Sequence, residues 1–298
     1  MTHGTRQTFP KDWRADTLIA DDKDMLETWQ DKKWIKGALL GIGSFGKVYL
    51  GMDRATGLLM AVKEVELFHC SIPSQKRKKA VLGALKREIE LLKDLKHKNI
   101  VQYFYSSLDD NYFNILSEYF PAGSVSTFLR NYGAFEEPLA RNFVRQILEG
   151  LNYLHVREVI HRHIKGTSIL VDNKGGVKIS CLRGLKKSNG MHRPSPRLDS
   201  VFWMAPEVVK QNGHSPKADI WSVGCLVVEM LTGEHPWSAL TPMQALFKIG
   251  SSSESKPAIP SDISSRGRAF LQLTFVLDYE QRTSAAELLE HRWIRKKP

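Results

Sequence analysis

The chain has 298 residues, is 42% hydrophobic and 25% charged, and carries a formal net charge of +11 at pH 7, a composition typical of soluble globular proteins. It contains neither the ~20-residue apolar run of a membrane span nor a signal peptide, and its scattered cysteines exclude a disulfide framework or zinc site, so we expect a cytoplasmic protein with reduced thiols. No aromatic interleaving accompanies the basic runs, of which Lys76–Lys79 is the strongest, so the charge is interpreted as solvated surface rather than as a site for nucleic acid, anionic lipid or an acidic partner.

The first part of the chain predicts an arm followed by three strands. Residues 1–33 are polar, and we expect them to form a disordered or loosely docked arm. The sequence pattern of residues 34–67 predicts three strands joined by tight turns. The alternation is clearest at Val48, Leu50 and Met52, whose neighbours are polar or small, which is the period of a half-buried strand.

A helix and two further strands follow before the pattern changes. Leucine and isoleucine recur at intervals of three and four over residues 76–95, which predicts a helix with one apolar face. Strands are predicted near 101–107 and 113–119. Beyond Pro121 the chain is mainly helical, and apolar stripes recur at helical spacing.

This order predicts an α+β fold with two lobes. Residues 34–120 are expected to form a small lobe with a five-stranded sheet and one helix. Residues 121–298 are expected to form a larger, mainly α-helical lobe. A ligand is expected in the cleft between the two lobes.

A glycine-rich turn and a lysine point to phosphate binding. Gly41, Gly43 and Gly46 match G-x-G-x-x-G, and the motif lies between two predicted strands, whereas in a dinucleotide-binding fold it would open a helix. A glycine-lined hairpin can approach phosphates closely because it has no Cβ atoms. Lys63 on the third strand is predicted to reach the phosphates, and Glu88 on the following helix is its expected ion-pair partner.

At this point the sequence resembles the protein kinases, over nearly the whole chain from Trp34 to Trp293. Ala205-Pro206-Glu207 stands where that family closes its activation segment, and Arg282 is expected to pair with this glutamate. Asp219 matches the aspartate that braces the catalytic loop, and Lys165 is the serine/threonine-type residue of that loop. The finer resemblance is to MAP kinase kinase kinases of the fungal type, and it rests on the stretches Gly123–Thr127, Val201–Lys210 and Trp221–Met230.

The resemblance implies a nucleotide site with a known set of positions. Glu118 and Phe120 supply the hinge backbone, and the small Ser117 stands at the back of the adenine pocket. The full set implied for the nucleotide is Gly41, Gly43, Gly46, Val48, Ala61, Lys63, Glu88, Ser117, Glu118 and Phe120.

The chain departs from the family at the residues that carry its chemistry. His163 stands where the catalytic aspartate is expected. Ser168 and Cys181 replace the asparagine and the aspartate that hold magnesium, and neither is a good ligand for a hard cation. Arg183 offers one possible substitute, a cation placed at the phosphates instead of the metal.

These departures predict a pseudokinase that works as a scaffold or allosteric regulator in a MAP kinase cascade, with other kinases of the cascade as its partners. ATP is expected to bind weakly or without magnesium, and no metal is expected on protein ligands. The alternative is a weakly active serine/threonine kinase that phosphorylates a MAP kinase kinase. A duplicate without a selected role is a third reading that the sequence leaves open.

Overall fold

The computed structural model of the chain describes residues 34–43, 46–67, 75–109, 112–181, 185–187, 198–212, 215–251 and 255–295, with the backbone alone at 75–82 and 199. The predicted arm, Arg183 and the side chains of Lys76–Lys79 lie outside this description. The chain divides into two compact units. The first comprises residues 1–74 and 104–117, and the second comprises 75–103 and 118–298.

A five-stranded sheet forms most of the first unit, with the strand order β1-β2-β3-β5-β4. Neighbouring strands β1–β2 and β2–β3 are antiparallel, as short connecting turns require. The strands are β1 (Trp34–Gly43), β2 (Gly46–Asp53), β3 (Leu59–Glu66), β4 (Tyr103–Leu108) and β5 (Tyr112–Glu118).

One face of this sheet carries an apolar core. Trp34, Met60, Val62 and Leu116 are buried together, and the partly buried Phe104 and Tyr105 pack against them. The indole Nε1 of Trp34 donates a hydrogen bond to Ser107 Oγ at 3.4 Å. Burial of large apolar side chains on one face is the main stabilising contribution expected for a half-buried sheet.

Helices dominate the second unit. Its described helices are α1 (Gln75–Lys93), α2 (Val125–Tyr132), α3 (Glu137–Val156), α4 (Pro206–Val209), α5 (Pro216–Thr232), α6 (Pro242–Ser251), α7 (Ser265–Thr274), α8 (Ala285–Leu289) and α9 (Arg292–Arg295). Short strands lie between them: β6 (Val159–Ile160), β7 (Ile169–Val171), β8 (Val177–Ile179) and β9 (Lys186–Lys187). Strand β6 pairs with β9, and β7 pairs with β8.

Helix α5 is buried along almost its whole length. It begins after Ser215, whose side chain accepts a hydrogen bond from the Lys217 N–H, and Pro216 occupies its first turn. It ends at Gly233, whose left-handed φ of 79° suits glycine. An apolar helix of this kind must lie in the interior, and several elements pack around it.

The predicted α+β fold class is confirmed, with a five-stranded sheet and a mainly helical unit. Helix α1 is grouped with the helical unit by its contacts, whereas the predicted lobe boundary at residue 120 follows chain order and stays a prediction. Among the described residues, no helix combines the length and the apolar character that crossing a membrane requires.

Candidate functional site

The glycine-rich turn joins β1 to β2 in the first unit. Gly43 pairs with Gly46 at the end of the two strands. Gly46 has a φ of 136°, and a Cβ atom there would collide with the backbone carbonyl of Glu64. At Gly41, no atom of the described residues lies within 4 Å of the position that a Cβ atom would take. A side chain is therefore sterically excluded at position 46, whereas the described residues leave room for one at position 41.

The predicted nucleotide residues of the sheet share one face. Val48 lies directly opposite Lys63 in the strand register, and Leu50 lies opposite Ala61. Directly opposite residues, and residues two apart in a strand, point to the same face. Ser117 on β5 is buried and donates a long hydrogen bond of 3.5 Å to the Ala61 carbonyl. The structure therefore brings Val48, Ala61, Lys63 and Ser117 together within the first unit.

Glu88 lies on α1 of the second unit and is half-buried. The predicted ion pair with Lys63 would join residues of different units, and it stays a prediction. Within its own unit, the negative charge of Glu88 contributes to raising the pKa of the Cys181 thiol.

Glu118, at the end of β5, is held by contacts that sequence reasoning missed. Its carboxylate accepts two hydrogen bonds from Lys178 Nζ, at 2.7 and 2.8 Å, and one from the Gln102 N–H at 3.2 Å. Its own N–H donates to the Gln102 carbonyl at 2.9 Å. Lys178 also lies 5.8 Å from the ring centre of Phe120, which is buried. The Glu118 N–H is therefore already used within the protein, and the predicted role of Glu118 in binding a nucleotide base stays a prediction.

Asp219, in the first turn of α5, holds the loop that follows β6. Its carboxylate accepts the backbone N–H groups of His161 at 2.9 Å and Arg162 at 2.7 Å, and it contacts His155 Nε2 at 2.9 Å. Burial alone would raise the pKa of Asp219, but the hydrogen bond and charge of His155 and the hydrogen bond from the His161 N–H outweigh this and lower it. The predicted bracing role of Asp219 is therefore present in the structure.

His161 fixes its own ring through both nitrogens. Its Nδ1 accepts the backbone N–H of His163 at 3.3 Å, and its Nε2 lies 3.0 Å from the Ser180 carbonyl. Burial lowers the pKa of His161, against the opposing charge of Asp219. The ring is therefore neutral and donates its Nε2 proton to Ser180.

His163 and Ser168 are joined to each other. His163 Nδ1 lies 3.0 Å from Ser168 Oγ, a normal hydrogen-bond distance. Ser168 is buried, and its N–H donates to the Lys165 carbonyl at 2.8 Å. Lys165 is also buried, with its Nζ 5.4 Å from the ring centre of Trp203. The structure thus brings the predicted residues His163, Lys165 and Ser168 into one loop.

Cys181 follows β8 and is 1% exposed. Its Sγ donates a weak hydrogen bond to the Ile179 carbonyl at 3.9 Å. Burial is the main cause of a strongly raised thiol pKa, and the negative charges of Asp219 and Glu88 raise it further. The side chain is therefore a protonated, neutral thiol at physiological pH.

The sequence model of the protein kinase domain matches residues 34–294. The chain belongs to the protein kinase family. It is 55% identical over 275 residues to the mitogen-activated protein kinase kinase kinase MST11 of Pyricularia oryzae, covering 88% of this chain and 30% of that protein. It is 45% identical over 302 residues to the serine/threonine-protein kinase STE11 of Saccharomyces cerevisiae, covering 88% and 42%. The kinase chain thus spans less than half the length of these relatives.

The kinase family implies magnesium at this site, but the residues present do not fit it. Magnesium requires hard oxygen ligands in octahedral geometry. Cys181 offers a protonated sulfur, and the Ser168 hydroxyl is engaged with His163. No group of three or more His, Cys, Asp or Glu side chains in the described part of this kinase domain could hold a metal ion. The family's metal positions are therefore filled by neutral groups.

Glu229, near the end of α5, holds the catalytic loop in place, and sequence reasoning missed it. Its carboxylate accepts hydrogen bonds from the Gly166 N–H at 3.1 Å, Trp203 Nε1 at 2.8 Å and Ser126 Oγ at 3.1 Å. Burial raises the pKa of Glu229, and these three donors oppose that effect. The signal that could have identified Glu229 is an acidic residue within the apolar stretch that follows Asp219 in this helix, because such a residue is rarely buried without partners.

Arg282 and Glu207 form the ion pair that the kinase resemblance implied. Arg282 Nη1 and Nη2 donate to the two carboxylate oxygens of Glu207 at 2.7 and 3.0 Å. Both side chains are buried, and Arg282 also donates to the Val276 and Lys217 carbonyls. The second unit thus retains the ion pair that the kinase resemblance implied between these two positions.

Proposed function

We propose that this chain is a pseudokinase of the MAP kinase kinase kinase type, acting as a scaffold or allosteric regulator in a MAP kinase cascade. Relatives of the chain from Pyricularia oryzae and Dictyostelium discoideum are named mitogen-activated protein kinase kinase kinases, and this supports a role among kinases. The observation that carries the proposal is the buried, protonated thiol of Cys181 where the family has a metal-binding carboxylate.

The chemistry of phosphoryl transfer explains why a thiol at the position of a metal-binding carboxylate should impair catalysis. The reaction depends on positioning and on neutralising the charge that develops on the phosphoryl oxygens. Without metal ligands and without a carboxylate base, the barrier rises by on the order of several kcal/mol, and each 1.36 kcal/mol is about tenfold in rate. His163 can accept a proton, but it carries no negative charge and is hydrogen-bonded to Ser168.

Nucleotide binding is a separate part of the proposal. The glycine-rich turn, Lys63 and the small, buried Ser117 support a site for the phosphates and base of ATP. With neutral groups at the metal positions, ATP is expected to bind weakly and without magnesium. The residues of this chain then hold and orient the nucleotide, and the proposed role depends on the shape that the complex presents to a partner kinase.

The decisive experiment is a phosphotransfer assay on the purified chain. The protein is incubated with labelled ATP, magnesium or manganese, and a MAP kinase kinase, with Lys63→Met as the matched control. We expect incorporation no higher than in the control. A rate in the wild type that Lys63→Met abolishes would overturn the pseudokinase proposal.

The second candidate, a weakly active serine/threonine kinase, is favoured by one feature. Lys165, the serine/threonine-type lysine of the catalytic loop, is retained and buried beside Trp203. In the same assay, metal-dependent phosphorylation of the MAP kinase kinase on serine or threonine supports this candidate. Mass spectrometry of the substrate identifies the modified residues.

A further inference from the structure

Residues 118–124, which we call the tied segment, begin at a salt bridge to strand β8. The carboxylate oxygens of Glu118 accept hydrogen bonds from Lys178 Nζ at 2.7 and 2.8 Å, so one ammonium group contacts both oxygens. The side chains of Glu118 and Lys178 are 30% and 23% exposed. Because they are half-buried, water and salt screen this pair less than a fully exposed pair, and it restrains the chain at Glu118.

The other end of the tied segment is held by the same β7–β8 hairpin. The Gly123 carbonyl accepts the Val171 N–H at 2.9 Å, and Ser124 forms an antiparallel bridge with Leu170. Leu170 lies directly opposite Lys178 in the register of the hairpin. The two ends of the tied segment are therefore attached to neighbouring residues of one hairpin, and all of these residues belong to the second unit.

Phe120 lies between the two attachments and is buried. Its ring centre is 5.8 Å from Lys178 Nζ, within the range of a cation–π contact. Its carbonyl accepts the Gly123 N–H at 3.1 Å. Lys178 thus contacts both Glu118 and Phe120, the two residues whose backbone is proposed to take the edge of the nucleotide base.

We propose that Lys178 is a positioning residue for the nucleotide base and sets a preference for adenine over guanine, an inference that rests on the proposed nucleotide binding. Adenine carries an amino donor where guanine carries a carbonyl acceptor. A backbone edge of fixed direction discriminates between the two bases, because the wrong base leaves polar groups unpaired. Without the Lys178 contact the backbone at Glu118 can rotate, and this discrimination weakens.

Competition binding against a fluorescent ATP analogue tests this role on the purified 298-residue chain. The dissociation constants of ATP and GTP are measured with magnesium and with EDTA, because the base preference does not depend on how the phosphates are held. The variants are Lys178→Met and Lys178→Arg. Lys98→Met is the matched control, since the Lys98–Glu149 salt bridge has the same 2.7 Å separation and lies in the same unit but outside the tied segment.

We expect Lys178→Met to lower the ratio of the GTP to the ATP dissociation constant about threefold or more, mainly by weakening the binding of ATP. Lys178→Arg should keep the ratio within about twofold of the wild type, because a guanidinium also donates to both carboxylate oxygens. Lys98→Met should leave the ratio unchanged. Glu118→Gln should lower the ratio as Lys178→Met does, and the double variant should show little further effect, because both changes remove one contact.

An unchanged ratio in Lys178→Met that still binds ATP would overturn the inference and leave the proposed nucleotide binding intact. Equal affinity of the wild type for ATP and GTP would also overturn it, because Lys178 would then have no preference to set. If neither nucleotide binds to the wild type, the nucleotide-binding part of the proposed function is wrong, and the inference is wrong with it. If Lys178→Met does not fold, Glu118→Gln decides the question, since it breaks the same salt bridge.

Discussion

Cys181 and Asp219 lie in the same unit and are both about 1% exposed. Burial raises the pKa of each, yet the two side chains differ in charge because their partners differ. Asp219 accepts two backbone N–H groups and contacts His155, so its pKa is lowered and the carboxylate stays ionised. Among the described residues, the hydrogen bond of Cys181 is a weak one to a carbonyl oxygen, so burial raises its pKa and the thiol stays protonated. A buried group keeps its charge only where donors surround it.

His161, which lies beside Asp219, makes stability depend on pH. Burial lowers the pKa of His161 in the folded state, so the unfolded chain takes up the proton first, and stability is lost as pH falls below the ordinary value of ~6.5. The lowered pKa of Asp219 acts in the same direction in a lower window, below ~3.9.

We therefore expect the free energy of unfolding, measured by urea denaturation, to fall between pH 7.5 and pH 5.5. His161→Gln should flatten this dependence, because glutamine can donate and accept hydrogen bonds without titrating. The half-buried His97 and His291 also have lowered pKa values, so some slope should remain. Equal slopes in the wild type and the variant would show that His161 is not the titrating group.

At the scale of elements, the loop between β6 and β7 depends on close packing at Gly166. A Cβ atom there would lie 2.5 Å from both Glu229 Oε1 and Ser126 Oγ. We expect Gly166→Ala to destabilise the protein by about 1–3 kcal/mol through overpacking. The measurement is the urea midpoint together with its slope.

Gly83 provides the matched control for this substitution. It lies inside α1, and the contact that a Cβ atom there would make with the described side chains is to Arg87 Nη1, at an ordinary 3.7 Å. Gly83→Ala should stabilise the protein by roughly 0.5–1 kcal/mol, because alanine is the better helix former. Destabilisation by both substitutions would show that glycine is needed for another reason than the contact with Glu229.

The long elements were predictable because their periodicity is strong. The helix predicted over 76–95 is observed at Gln75–Lys93, and the strand pattern around Val48 is observed in β2. The short strands β6 to β9 have two or three residues each, too few for any period to appear. The contacts of Glu118 with Lys178 and Gln102 join residues far apart in the chain, and such tertiary pairs leave no local signal.

At the scale of the whole molecule, much of the candidate site followed from resemblance rather than from pattern. The positions of Val48, Ala61 and Ser117 were implied by the kinase family, and the structure brings them together on the sheet. The hydrogen bond between His163 and Ser168 was not predictable, because each residue was assessed singly against the family position it replaces. This hydrogen bond requires the imidazole of His163 and the hydroxyl of Ser168 together.

The whole chain should respond to ATP in the same way with and without magnesium. If ATP binds with a Kd of about 1 mM, then 10 mM ATP adds about 1.4 kcal/mol to stability. That corresponds to a rise of roughly 3 °C in Tm for a chain of this size. Thermal-shift curves with magnesium or with EDTA test this, and Lys63→Met should abolish the rise. A shift that appears only with magnesium would contradict the proposed metal-free binding.

Helix α5 holds the catalytic loop by hydrogen bonds at two separated points, through Asp219 near its start and Glu229 near its end. The two carboxylates are ten helical residues apart, which is about 15 Å along the helix. Neither set of hydrogen bonds involves His163, Ser168 or Cys181. Loop geometry and loop chemistry are therefore specified by different side chains. Reactive side chains can therefore be exchanged without disturbing the backbone of the loop. The chain is a suitable starting point for restoring aspartate at positions 163 and 181 and asparagine at position 168.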